Sequence, residues 1–285
     1  MSGRGEPAFD PASVSAGALM ALEPQAARAL REAVSLAERP GSTATRRRGQ
    51  GHEIRELRPF AEGDDPRHID AAATARSGNP QVRSFHEDRE YSLMLIADFR
   101  RPMLWGTKGR LRSVAAAEAL VLAGWKAALA GGAVGVVALT DAGPVVQVPR
   151  PRHRGMAQVA GCLARAHADA LAHRGPVRPL APDLARAARQ VPRGAGILLA
   201  TALDTPGEGL DAALAALRAR GPLRLLLMED AFETAPPGRV LPYAGPDGPA
   251  HARFATLPAQ RKERADRLAF PGQEVRRLST GGGAP

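Results

Sequence analysis

Leu93 to Met103 reads LMLIADFRRPM, an apolar run that stops at a lone acid, Asp98, with Arg100, Arg101 and Pro102 directly behind it. An acid at the carboxyl end of a buried strand lies where open α/β sheets place their ligands. Such a residue can ligate a metal, accept a phosphoryl group, or pair with the arginines beside it. The equivalent place after the apolar run GILLA holds Thr201 and, three residues on, Asp204. Asp98, Arg100, Arg101, Thr201 and Asp204 are therefore the candidate binding residues.

A second concentration of charge is GDDPRHID, with Asp64, Asp65 and Asp70 beside Arg67 and His68. Hard cations prefer several oxygens without competing guanidinium groups, and Arg58, Arg67 and Arg76 are close in sequence. Asp65 before Pro66 is an N-cap and first-turn pair, so this cluster is expected to be structural. The histidines His52, His68, His86, His153, His167, His173 and His251 show no metal-ligand spacing, and His167 and His173 are off a shared helical face. There is no Gly-x-Ser-x-Gly elbow and no phosphate-binding Walker loop. AGGAVG precedes a strand, as a turn would. A Ser-His-Asp triad stays open, with no local pattern pointing to one. No metal and no cofactor is expected.

The chain has 285 residues, 44% of them hydrophobic but only 4% aromatic, so its core must be built from Ala, Val and Leu. The net charge of +10 admits nucleic acid as a partner, with the run Arg46, Arg47, Arg48 as its natural contact. Lysine occurs only at Lys108, Lys126 and Lys262, and the excess of Arg with Ala, Gly and Pro reflects codon bias as readily as a binding surface. Cys162 is the single cysteine, which excludes a disulfide framework. The start, MSGRGEPAFD, lacks the apolar core of a signal peptide, and Glu118, Lys126 and Gly131-Gly132 interrupt the best membrane-span candidate, Val114 to Leu139. A cytoplasmic protein without a membrane span is expected.

Three segments must position these residues. Residues 1–45 hold an N-terminal helix, Pro24 to Glu38, and a patternless linker. Residues 46–90 hold two alternating strands around a helix PRHIDAAATAR that stops at Gly78. Residues 91–285 follow a βαβ pattern: strand YSLMLIAD, a long helix, strand AVGVVALT with hairpin partner GPVVQVPR, and helices around Met156–Ala172 and Pro182–Gln190. Strand GILLAT, helix GLDAALAALRAR and strand LRLLLME come next, and a tail adds short strands, a charged helix and a last strand QEVRRLS. The sum is an α/β fold, a three-layer, mostly parallel Rossmann-like sheet with an N-terminal extension.

The stretch GQGHEIRELRPFAEGDDPRHIDAAATARSGNPQVRSFHED, followed by LMLIAD, resembles the bacterial domain-of-unknown-function family fifty-eight. The matching positions are Gly49, Gly51, Glu53, Arg58, Gly63, Asp64, Asp65, Arg67, Ile69, Asp70, Ala75, Arg76, Val82, Arg83 and Phe85; Ala71 stands where the family has tryptophan. The resemblance implies a von Willebrand factor A-like fold with its core from about Tyr91 to Glu229. It also implies a protein-interaction scaffold or adaptor, not an enzyme, working beside a MoxR-type AAA+ ATPase. A-domains of this kind commonly hold Mg²⁺ with Asp-x-Ser-x-Ser, a threonine from a later loop, and an acid after the fourth strand. Here the first motif reads Asp98-Phe99-Arg100-Arg101-Pro102, the later loop RHRGMAQ has no threonine, and Asp204 falls late. Arg100 has no acceptor lone pair, so the metal site is expected to be degenerate. Haloacid-dehalogenase-type phosphoryl acceptors also need a second Asp where Arg100 stands. On this reading Arg100 or Arg101 supplies a permanent positive charge to a partner, held by Asp98; on the alternative the two arginines merely neutralise Asp98 and stay solvated.

Overall fold

The computed structural model describes residues 10–37, 54–61, 64–85, 91–245, 248–268 and 274–281. Arg46, Arg47, Arg48, Gly49, Gly51, His52, Glu53, Gly63 and His86 lie outside them. The chain forms two compact units, one of residues 1–32 with 92–285 and one of residues 33–91. The N-terminal segment thus divides, its first helix belonging with the large sheet.

In chain order the elements are α1 (Ala16–Met20), α2 (Glu23–Ala37), β1 (Ile54–Pro59), α3 (Ala71–Ser77), β2 (Gln81–Phe85), β3 (Ser92–Asp98), α4 (Arg112–Leu129), β4 (Ala133–Thr140), β5 (Gly143–Pro151), α5 (Arg152–Ala172) and α6 (Leu180–Gln190). They continue with β6 (Gly196–Thr201), α7 (Leu210–Arg218), β7 (Leu223–Glu229), α8 (Ala231–Thr234), β8 (Leu241–Gly245), β9 (Gly248–Ala252), α9 (Leu257–Leu268) and β10 (Glu274–Ser279).

The large unit is built on a six-stranded sheet in the order β10-β7-β6-β3-β4-β5, parallel except for β5. Its central strands are buried on both faces, which is why they read as unbroken apolar runs. Successive side chains alternate between faces. Leu93, Leu95 and Ala97 of β3 join one core layer with α4 and α5, and Met94 and Ile96 join the other with α6 and α7. Helix α4 is buried nearly all round, with Trp125 donating to the Leu19 carbonyl of α1 (3.4 Å). Among the described residues no helix is long and apolar enough to cross a membrane. Because the order reverses between β3 and β6, a crevice opens at their carboxyl ends, where Asp98 and Thr201 sit.

The small unit pairs β1 with β2 antiparallel, which places the backbones of Arg58, Arg83 and Phe85 in strands. The single helix expected over PRHIDAAATAR is two. Asp65 caps a short 3-10 turn, Pro66–His68, accepting from Arg67 N (3.0 Å). Ile69 then runs extended and bridges to Val82, and Asp70 caps α3, accepting from Ala73 N (2.8 Å). A second capping acid restarts the helix because the Asp70 N–H donates to Gln81 O (2.8 Å) and cannot serve a continuous helix. Arg76 falls in the last turn of α3, and Gly78 closes it in the left-handed conformation (φ 71°). Asp64 accepts from Ala61 N (2.8 Å). The GDDPRHID acids thus shape backbone.

Asp65→Ala and Asp70→Ala should each lower the stability of the small unit by about 1 kcal/mol. Thermal melts should show the same loss in Mg²⁺ and in EDTA; a loss confined to Mg²⁺ would make the cluster a metal site.

Candidate functional site

Each parallel strand near the crevice has an acidic residue at its carboxyl end or within three residues beyond it. Asp98 ends β3, Asp141 follows β4, Asp204 lies beyond β6, and Glu229 and Asp230 close β7. A carboxylate is poorly tolerated at a buried strand end unless its lone pairs are filled. Here they are filled by the chain itself.

Asp98 and Arg100 are both wholly buried. Asp98 Oδ1 accepts from Arg100 Nε (2.9 Å) and from the Arg100 backbone N–H (3.2 Å). Its Oδ2 accepts from Arg100 Nη2 (2.8 Å) and Thr201 Oγ1 (2.7 Å). Thr201 Oγ1 in turn accepts from Leu203 N (3.0 Å). The remaining Arg100 donors go to backbone: Nη2 to Asp204 O (3.0 Å), and Nη1 to Arg178 O (2.8 Å) and Thr205 O (3.3 Å). All five guanidinium N–H groups therefore have acceptors, the full complement arginine can use.

The loop after β6 bends around this guanidinium. Leu203 (φ 57°) and Thr205 (φ 47°) both adopt left-handed backbone, a conformation costing an L side chain about 1 kcal/mol or more each. The carbonyls of Asp204 and Thr205 are thereby turned onto Arg100. Arg101 behaves differently. It is exposed, its N–H donates to Asp141 Oδ2 (2.7 Å), and its Nη2 donates to Gly175 O. Asp141 Oδ1 accepts from Arg178 N (2.8 Å), so one carboxylate ties the loop after β3 to the loop before α6. Arg178 also grips buried Asp183 through Nε (3.0 Å) and Nη2 (2.8 Å).

A second knot forms around Asp204 and Glu233. Buried Arg112 donates to Asp204 Oδ2 (2.8 Å), stacks over the Trp105 ring at 4.2 Å, and brings Nη2 within 2.7 Å of Glu233 Oε1 without hydrogen-bond alignment. Arg261 of α9 donates to Ala202 O (3.0 Å), lies 2.9 Å from Asp204 Oδ1, and also meets Glu233. Arg264 reaches Asp204 Oδ1 (3.0 Å) and Leu203 O (3.2 Å). Burial alone would raise the Asp204 carboxyl, but the Arg261 and Arg112 guanidiniums hold it below the usual carboxylate range. Asp230 is held low against the same desolvation by Thr107, Phe232 N and Thr280, whose N–H and O–H groups converge on it.

The five candidates from the sequence thus come together, but Asp98, Arg100 and Thr201 are sealed from solvent. Arg100, expected either to offer its charge to a partner or to neutralise Asp98 while solvated, does pair with Asp98, but from within the interior, its donors all facing inward. Arg101 and the part-exposed Asp204 face the rim. Among the described residues no group of three or more His, Cys, Asp or Glu is placed to hold a metal, and Asp98 has no lone pair left to give one. Arg112, Arg261, Arg264, Asp141 and Glu233 were not singled out in the sequence. Asp141 and Asp230 carry the same signal as Asp98, an acid closing an apolar run; the arginines carry none.

One other pair has chemistry. Ser113 Oγ lies 2.9 Å from His167 Nε2, both wholly or almost wholly buried, with Phe99 edge-on to the imidazole. Burial pushes the His167 pKa down to about 4, against a weaker upward pull from Asp10. The pair ties α4 to α5.

Arg100→Ala leaves Asp98 charged and unpaired in the interior and should cost about 3–5 kcal/mol in urea unfolding, equally in Mg²⁺ and EDTA. Arg101→Ala should stay within about 0.5 kcal/mol of wild type. Equal effects from the two would contradict this geometry. A separate prediction concerns His167, which is neutral when folded and charges on unfolding. The His167 contribution to stability should fall as the pH drops from about 6.5 to 4, by roughly 3 kcal/mol, and level off below, where the loss passes to the low-lying carboxyls of Asp204 and Asp230. His167→Asn should flatten that slope; an unchanged slope would assign it to other groups.

The chain matches the family described as Protein of unknown function DUF58 over residues 56–235, from β1 to just past α8. An uncharacterized protein of Mycobacterium bovis and uncharacterized proteins of two Mycobacterium tuberculosis strains are each 40% identical to it over 75 residues. That match covers 25% of this chain and 24% of the relatives' own length. With more than half its length inside the family match, the chain belongs to the DUF58 family.

Proposed function

We propose that the protein is a non-catalytic interaction scaffold or adaptor whose strand-end cation is a built-in guanidinium instead of a divalent ion. The observation that carries this reading is the saturation of Arg100: five donors, five acceptors, and Asp98 filled from the same residue and Thr201. A nucleophile or general base needs a free lone pair within reach of substrate, and Asp98 has neither. The donor set also fails to fit Mg²⁺. An ion at Asp98 would have to displace a guanidinium that is itself a permanent cation, and Arg112 and Arg261 already crowd Asp204 and Glu233.

The order of the six strands supports the von Willebrand factor A-like reading. Numbered within the sheet domain they run third, second, first, fourth, fifth, sixth, the third antiparallel. In such folds the strand-end face receives the partner. Arg101, Arg264 and Asp204 form its exposed rim here, and the family resemblance makes a MoxR-type AAA+ ATPase the first partner to try. Nucleic acid gains no support at this site, where arginine donors already meet carboxylates and carbonyls.

Binding of the full chain to a purified, nucleotide-free MoxR-type ATPase tests the reading. It should persist in EDTA and weaken about ten-fold on Arg101→Ala with Arg264→Ala, the fold remaining intact by circular dichroism. Binding that needs a divalent ion, ignores both substitutions, or is absent overturns it.

A further inference from the structure

At the antiparallel edge of the large sheet, β5 pairs with β4 on one side and with no described strand on the other. Pairing alternates along an antiparallel ladder, so the polar groups of every second residue turn outward. Leu139 gives its carbonyl to Phe99 N, away from β5 (2.7 Å), so its partner Pro144 points outward, and two residues on Val146 does the same. Val145 and Val148 beside it are 42% and 51% exposed. Pro144, Pro149 and Pro151 lack N–H groups, which limits any added strand to a short one centred on Val146.

The edge is flanked by unpaired positive charge. The chain passes from Pro151 into α5 with no loop, Arg152 being left-handed (φ 59°), and Arg150, Arg152 and Arg154 are all exposed. A groove of about 310 Å³ between β5 and α5 is lined by Gln147, Arg154, Gln158 and Arg165. Among the described residues none of Arg150, Arg152, Arg154 or Arg165 meets a carboxylate; Glu23 faces His153 at 3.7 Å. Gln147 bonds Gln158 of α5 (3.1 Å), so it lies on the groove side and Val146 on the other.

We propose that β5 receives a short, acidic, extended segment of another protein as an added strand. Its backbone pairs with Val146, its carboxylates on one face enter the Arg154–Arg165 groove, and apolar side chains on the other cover Val146. Charge complementarity selects this occupant over a second copy, which would bring the same arginines together. The surface is separate from the strand-end rim, so the ATPase experiment and this one can fail independently.

The test uses the full chain and a fluorescent octapeptide alternating glutamate and valine, read by anisotropy and amide hydrogen exchange. Saturable binding with slowed exchange at Val146 is expected. Arg154→Glu with Arg165→Glu should weaken it at least about ten-fold, and Arg154→Gln with Arg165→Gln about three-fold, should the reversal disturb the fold. Absent binding, binding that survives both pairs of substitutions, or no slowing across residues 143–151 overturns the proposal. So does single-stranded DNA of equal charge that displaces the peptide and protects α5 instead of β5, which would assign the groove to nucleic acid.

Discussion

The structure turns on one requirement: a carboxylate buried at the end of a central strand must be neutralised where water cannot reach it. Asp98 meets it with a guanidinium two residues away, held in a fork that fills both its oxygens. Arg100 then needs three more acceptors, and backbone carbonyls from the loops before α6 and after β6 supply them. Loops that would otherwise be free are drawn onto one ion, two of their residues into left-handed backbone. The cation is thus an organiser of the crevice.

The same logic repeats outward. Asp141 joins the loops after β3 and before α6; Asp204 and Glu233 gather arginines from α4 and α9; Asp230 gathers Thr107 and Thr280. Helix α9 comes late in the chain, yet Arg261 makes it part of the crevice wall. Such buried pairs contribute little net stability over apolar packing, while losing one partner is costly. Their use here is to fix which loops face the crevice and to leave Arg101, Arg264 and part of Asp204 on its rim.

The framework was legible because its signals are local. Unbroken apolar runs announce β3, β4, β6 and β7, and the acid after β3 marks the crevice. The split of the PRHIDAAATAR helix was not legible, since both Asp65 and Asp70 are good caps and only the pairing of Ile69 with Val82 decides that both are used. Helix α5 begins at Arg152, before its apolar period, because β5 runs into it without a turn residue. The arginine partners were hidden for a different reason. Arg112 and Arg261 lie on helices 92 and 57 residues from Asp204, and one arginine in a chain rich in them carries no mark of burial.

Nitrogen-detected NMR of the arginine side chains tests the central claim most directly. If Arg100 is the site's cation, its Nε–H should appear as a resolved, slowly exchanging resonance, coupled across the hydrogen bond to the Asp98 carboxylate and unmoved by Mg²⁺ or EDTA. An Arg100 Nε–H that exchanges as fast as the exposed arginines, or shifts when Mg²⁺ is added, would contradict the account.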